Sequence, residues 1–235
     1  MKIPLSPRLA VCAGFVFPGD RVADVGCDHG YCSEYMLKNG LCDHAILSDI
    51  SKGSLAKAEA LLASFVQDGK AVSVLGDGFF GVPKDTQQVL IAGMGGSEIV
   101  NILSDEKYGF MPERFVFQPM HDAEKLRRYI LANGGYIERD FTFFDGKFYE
   151  VIVGGAQKCK GQVCDETCQT PYTDAEYEFG RENLAVMGEA FVARMQKLIV
   201  NLDKYMAEPT LSEESRQELQ RRKERLQGVL QGEIK

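Results

Sequence analysis

No stretch of this chain approaches the ~20 consecutive apolar residues that a bilayer crossing needs, so no membrane span is expected. The opening residues, Met1 to Arg8, lack an apolar run of signal-peptide length. That predicts a protein that stays in the compartment where it is made. Repeats and low-complexity tracts are missing, and a composition with 45% hydrophobic and 26% charged residues is globular rather than disordered. Basic charge is in short supply. The 27 Lys and Arg face 34 Asp and Glu for a net charge of -7, which argues against a protein that grips nucleic acid with its whole surface. A local basic patch remains compatible with that total. A paired cysteine framework is missing too: the 7 cysteines are scattered, which predicts free thiols in a reducing cytosol. Cys159, Cys164 and Cys168 cluster, but no fourth Cys or His lies nearby to complete a structural zinc site, and no metal is expected.

The 235 residues are enough for one ordinary domain and a smaller appendage. Over the first ~150, strand and helix signals alternate as in an α/β domain. Strands are expected at Arg21 to Val25, Ala45 to Ile50, Ala71 to Leu75, Gln88 to Ala92 and Arg114 to Gln118. Helices are expected at Tyr31 to Asn39, Ser54 to Val66, from Gly96 through Leu103, and at Ala123 to Ala132. Tyr136 to Phe144 and Phe148 to Val153 are joined only by Asp145-Gly146-Lys147, so these two strands form an antiparallel hairpin. A mostly parallel seven-stranded, Rossmann-like sheet that ends in such a hairpin is characteristic of class I methyltransferases. A dinucleotide dehydrogenase has no need of it. The catalytic domain is therefore drawn as residues 1–156.

Beyond it, residues 157–171 read as a polar, Cys- and Thr-rich linker. Thr173 and Glu176 have capping-box spacing. Tyr177, Leu184, Phe191, Leu198 and Tyr205 then recur every seven residues, with Met195 and Leu202 between them, like one coiled-coil seam. Pro209 ends it. Thr210 and Glu213 offer a second capping box, and Leu219, Leu226 and Leu230 form an apolar stripe. Residues 157–235 are thus expected to be a linker and a helical hairpin of two long helices.

The chemistry concentrates where the first four strands end. Asp24-Val-Gly26-Cys-Asp28-His-Gly30 follows the first strand, where glycines admit a nucleotide cofactor close to the backbone. The middle glycine of the usual dinucleotide fingerprint is replaced by Asp28. A carboxylate there repels a pyrophosphate and tolerates a sulfonium cation. Asp49 ends the second strand, beside Ile50, in the place where a carboxylate accepts both ribose hydroxyls; as an isolated residue it reads equally well as a helix N-cap. Asp77, before Gly78, is placed to accept an adenine amino group, or else is a plain turn residue. Three acidic residues ending three successive strands carry more weight together than singly. After the fourth strand stands Gly93-Met94-Gly95-Gly96, which offers backbone N–H groups and space. The Asn/Asp-Pro-Pro-aromatic motif of many amino-methylating enzymes is missing there.

These motifs, together with His29, Tyr31, Gln118-Pro119 and Lys147-Phe148-Tyr149-Glu150-Val151 in order, resemble the bacterial tRNA (adenine-22-N1)-methyltransferase family, TrmK. The resemblance covers the catalytic domain, and the helical tail matches that family's coiled-coil tail in kind. It implies S-adenosyl-L-methionine as cofactor, tRNA as partner, a cytoplasmic location, and methylation of adenine N1 at position 22 by direct displacement. Neutral adenine N1 carries a lone pair, so no strong base is required, and catalysis rests on alignment and electrostatics. Asp28 is then the candidate for stabilising the cationic product. Tyr31 is the candidate for lining the base pocket and His29 a minor one for proton handling. Arg8, Met94, Gly95, Gly96, Gln118, Pro119, Phe148, Tyr149 and His121 are candidates for touching the substrate base. Arg221, Arg222, Lys223 and Arg225 are candidates for meeting tRNA phosphates, or else a solvated helix face. The rival readings are a methyltransferase of a small molecule and a non-catalytic binding module on this fold; a homodimer is left open.

Overall fold

The computed structural model describes residues 5–19, 21–156 and 171–234. The linker reading of residues 157–170, with Cys159, Cys164 and Cys168, lies outside the described residues. The described chain forms two compact units. One takes the residues up to Arg139 and those from Tyr149 to Ala156. The other takes Asp140–Phe148 and the residues from Pro171 onward.

The first unit opens with a helix that the sequence reading passed over, α1 (Pro7–Ala13). Its signal was present: Ser6 accepts from the Leu9 N–H at 3.3 Å, and Pro7 takes the first helical position, where a missing N–H costs nothing. Then follow β1 (Arg21–Val25), α2 (Tyr31–Lys38), β2 (His44–Asp49), α3 (Lys52–Leu61), α4 (Ala63–Gln67), β3 (Ala71–Leu75), β4 (Gln88–Met94), α5 (Gly96–Ser104), β5 (Arg114–Pro119) and α6 (Ala123–Ala132). Last come β6 (Gly135–Asp145) and β7 (Lys147–Ala156). The expected helix over Ser54 to Val66 is two helices, because Leu62 leaves helical geometry at φ -97°, ψ 20°.

The sheet has seven strands in the order β3-β2-β1-β4-β5-β7-β6. The first five run parallel, and β7 is antiparallel to β5. Val22, Ala23, Asp24 and Val25 of β1 are all buried, as expected for a central strand of a parallel sheet covered on both faces. Strand order reverses at β1: the chain steps outward to β2 and β3, then returns to β4. Open α/β sheets bind ligands in the crevice outside the strand C-termini at such a point. The core beneath packs Ile46, Val89, Ile91, Phe115, Phe117 and Ile152 against Ile99, Leu103, Leu126 and Ile130 of α5 and α6. It also holds an ion pair: Arg127 Nη2 donates to Glu150 Oε1 at 2.7 Å, with the Arg127 side chain fully buried.

In the second unit the single long helix expected from Thr173 to Tyr205 is three helices, α7 (Asp174–Phe179), α8 (Arg181–Val186) and α9 (Glu189–Met206). Gly180 breaks the first junction at φ 90°, ψ 131°, and Met187 the second at φ 51°, ψ 45°. The first break sets α8 on the edge strand. Glu182 accepts from the Asp140 N–H and Asn183 from the Thr142 N–H, both at 2.8 Å, which satisfies an edge that would otherwise offer donors for pairing. The hairpin tip thus belongs to this unit. The capping box is as read, with Thr173 Oγ1 accepting from the Glu176 N–H and Glu176 accepting from the Thr173 N–H. The second is not: Ser212, rather than Thr210, caps α10 (Glu213–Leu230), accepting from the Ser215 N–H. Phe191, Met195 and Leu202 are buried with Leu226 and Val229 of α10, so the seam closes within one chain. Tyr205, given to that seam by its spacing, is 62% exposed.

Candidate active site

The crevice at the switch point is a cleft of about 760 Å³. Gly26, Asp49 with Ile50, Asp77 with Gly78, and Met94 line it, each at or just beyond the C-terminal end of β1, β2, β3 or β4. Gly26 has φ 71°, a left-handed backbone that favours glycine, and the Met94 methyl group occupies the space a Cβ would take. The turn is tied to β2: the Gly26 N–H donates to Ser48 O at 2.8 Å, and the Asp28 N–H to Asp49 Oδ2 at 3.0 Å. Asp49 Oδ1 accepts from the Ser51 N–H at 2.7 Å. Asp28 itself takes φ 49°, a left-handed backbone that is uncommon outside glycine and recurs at functional turns.

The lining contains four carboxylates, Asp49, Asp77, Glu98 and Asp105, and no Lys, Arg or His. Asp105 is held below the usual carboxylate range by hydrogen bonds from the backbone N–H groups of Tyr108 and Lys107. Such a wall favours a cation and repels a pyrophosphate. Ile50, 72% exposed, and Phe80, 46% exposed, present apolar surface to the same cleft, with Ile102 and Tyr108 beside them. Tyr108 meets the Phe80 ring edge-on at 5.1 Å.

Four residues expected at the cofactor do not line this cleft. Asp24 is buried under the glycine turn, accepts from the Ser33 hydroxyl at 2.7 Å, and is pushed up to about 6 by burial. Gly30 packs on α3, where a Cβ would lie 2.9 Å from Ala58 Cβ. The Asp28 side chain is 69% exposed, with His29 Nδ1 at 2.8 Å, and the His29 and Tyr31 rings stack at 5.6 Å. Gly93 lies beside Arg8, whose Nη1 would be 3.4 Å from a Cβ there.

Each glycine of the Gly93-Met94-Gly95-Gly96 loop has a structural account. Gly93 has φ 89°, a Cβ at Gly95 would lie 2.5 Å from the His121 ring, and one at Gly96 would collide with Asp122 O. Its N–H groups are already used, that of Gly95 by Glu98 Oε2 and that of Gly96 by His121 O, both at 2.8 Å. They hold the β4–α5 turn rather than offering donors to a ligand. Gln118 is equally engaged: its Oε1 accepts from Arg8 at 2.7 Å and its Nε2 donates to Pro119 O at 2.9 Å. Arg8 also lies 5.6 Å from the Tyr149 ring. Phe148 belongs to the second unit, with the Phe144 ring at 5.0 Å and Lys197 at 5.7 Å. On α10, Lys223 pairs with Asp203 and Arg225 with Glu178, each at 2.6 Å, while Arg221 and Arg222 are exposed.

Glu98, Asn101, Ile102, Asp105, Phe80 and Tyr108 were missed. The first four recur at three- and four-residue spacing from the start of α5, a mixed polar stripe that marks one helix face.

A seven-stranded sheet in this order, with an antiparallel last pair and an acidic crevice at the switch point, defines a class I methyltransferase. A family model described as a methyltransferase domain matches residues 5–152. The tRNA (adenine(22)-N(1))-methyltransferase of Bacillus subtilis is 31% identical over 158 residues, which span 66% of this chain and 66% of that one. Streptococcus pneumoniae Sp1610, solved in complex with S-adenosyl-L-methionine, is 25% identical with a TM-score of 0.79, covering 97% of this chain and all of that one (100%). The B. subtilis M1A22 tRNA methyltransferase TrmK shares the fold at a TM-score of 0.80 and 24% identity, over 97% and 100% of the two chains. The chain belongs to the bacterial tRNA (adenine-22-N1)-methyltransferase family, TrmK.

Proposed function

We propose that this protein transfers a methyl group from S-adenosyl-L-methionine to N1 of adenine 22 in the D-arm of tRNA. The observation that carries the reading is the cleft itself: four carboxylates, no basic residue, and apolar walls at the ends of β1 to β4. That lining suits a sulfonium nucleoside and disfavours NAD. The relatives named above supply the substrate, and a cytoplasmic location follows from it.

The cofactor, when bound, supplies an electrophilic methyl carbon. Asp49 would accept the ribose hydroxyls, and it is pre-oriented by the N–H groups of Asp28 and Ser51. Asp77 would accept the adenine amino group, with Ile50, Phe80 and Ile102 against the ring faces. Gly26 and Met94 close the cleft on the β1–β4 side. The attacking nitrogen has its lone pair available, so no group of this chain needs to take a proton before transfer. The methylated base is a cation, and the exposed Asp28 carboxylate would stabilise it. Ser54 Oγ donates to that carboxylate at 3.4 Å, His29 lies beside it at 2.8 Å, and Tyr31, stacked on His29, would border the base. Arg8, anchored on Gln118 beside Tyr149, would form the far rim. The base has to leave its stack to reach this pocket. Exposed Arg221 and Arg222 on α10 would meet tRNA phosphates.

The test is methyl transfer from labelled S-adenosyl-L-methionine to unmodified tRNA, with product nucleosides separated and mapped. N1-methyladenosine at one D-arm position is expected. Cofactor binding without incorporation into tRNA would overturn the substrate and favour a small molecule.

A further inference from the structure

A parallel sheet needs cover on both faces. The chain passes from β3 to β4 through residues 76–87 without a helix. Phe79 and Val82 anchor this crossover in the core. Gly81 brings it against the sheet, since a Cβ there would lie 2.7 Å from Val74 Cγ1. The neighbouring face of β2 and β3 keeps an open cavity of about 290 Å³. Ile46, Val72 and Val74 form its floor, and Val72 is 56% exposed.

Its rim is Arg21, His44 and Lys70. Arg21 and His44 begin β1 and β2, and Lys70 immediately precedes β3. Arg21 and His44 are register partners in β1 and β2, and the Lys70 carbonyl accepts from the Ala45 N–H at 2.8 Å. No carboxylate lines the cavity, and among the described residues none of the three side chains forms an ion pair. Basic groups side by side across strands disfavour the fold unless something answers them. The cavity lies at the strand N-termini, opposite the acidic cleft, and shares no lining residue with it. Its size is near the lower end of small-molecule sites, about 300 Å³.

We propose that this cavity is a second binding site, for a small organic anion with a flat apolar body. The body would cover Ile46, Val72 and Val74. The anionic group would meet the Arg21 guanidinium, the Lys70 ammonium and an imidazole N–H of His44. An RNA backbone would answer the cations but leave the apolar floor wet, which is why a compact amphipathic anion fits better. The site does not depend on the methyl-transfer reading.

The test uses the full-length, isotope-labelled protein and naphthoate as probe, followed by amide resonances and calorimetry. Saturable binding is expected, with shifts at Lys70, Val72 and Val74. Arg21→Glu combined with Lys70→Glu should weaken it roughly tenfold or more, and Val72→Ser should weaken it through the floor. S-adenosylhomocysteine binding should be unchanged in both variants. Equal affinity for the neutral naphthalene methanol, or equal competition by inorganic phosphate, would overturn the proposal. So would displacement of naphthoate by tRNA together with weaker tRNA binding by the charge-reversed variant, since the row would then be a phosphate contact.

Discussion

Asp24→Asn should make the cofactor-free protein more stable at neutral pH. Asp24 is a buried carboxyl at the end of β1, 4% exposed, and burial lifts it from 3.8 to about 6. The folded state therefore binds a proton more tightly than the unfolded chain. Between pH ~4 and ~6 folded molecules keep a proton that unfolded molecules have released, so stability falls as pH rises through this window. Above it the cost is constant, on the order of 3 kcal/mol for a shift of about two units. Asparagine removes the charge and keeps an acceptor for the Ser33 hydroxyl, now 2.7 Å away. The variant should thus gain ~1–3 kcal/mol at pH 7 over the wild type, and the gain should vanish near pH 4. Urea unfolding of both proteins across pH 4 to 8, read by circular dichroism, measures it. The same variant should bind S-adenosyl-L-methionine more weakly, because a negative charge behind the glycine turn favours a cation in the cleft. Parallel stability profiles for the two proteins, or a less stable variant at pH 7, would refute the reasoning.

Arg127→Ala should cost about 3–5 kcal/mol, because it removes the buried guanidinium that faces the Glu150 carboxylate at 2.7 Å, whereas Arg127→Met with Glu150→Leu should recover most of that in thermal unfolding. Asp49→Ala removes a carboxylate that also holds the turn through two N–H groups; losing about 1.5–3 kcal/mol should weaken S-adenosylhomocysteine binding at least tenfold by calorimetry. Gly96→Ala drives a Cβ into the Asp122 carbonyl and should cost about 1–3 kcal/mol, seen as a lower melting temperature and slower methyl transfer. Charge reversal at Arg221 and Arg222 should reduce tRNA affinity and flatten its salt dependence, while Lys223→Ala, whose ammonium is engaged by Asp203, should change tRNA affinity far less.

Much of the fold was legible because its signals are local. Buried strands at the sheet centre read as apolar runs, the Asp145-Gly146-Lys147 link allows only a tight hairpin, and Thr173 with Glu176 closes a capping box within four residues. The tail shows where such reading ends. Seven-residue spacing fits one continuous helix, yet Gly180 and Met187 interrupt it, and past the first break the side chain of Asn183 accepts from the N–H of Thr142, 41 residues before it in the chain.

The site divides in the same way. Gly26, Asp49, Ile50, Asp77, Gly78 and Met94 were named from the sequence because parallel topology gathers strand C-termini in one crevice. The α5 face of Glu98, Asn101, Ile102 and Asp105 was not, because nothing local says which side of a helix meets the crevice. Basic residues on α10 looked alike in sequence; only the fold decided that Lys223 and Arg225 spend their charge on Asp203 and Glu178. By itself the sequence determined strand order of appearance, turn chemistry and the acidic strand ends, because each follows from backbone conformation and near neighbours. Tertiary structure alone decided which glycine N–H groups were already bonded, which cations were paired and which face of the sheet the described residues leave open. Those depend on what residues distant in the chain bring within a few ångströms.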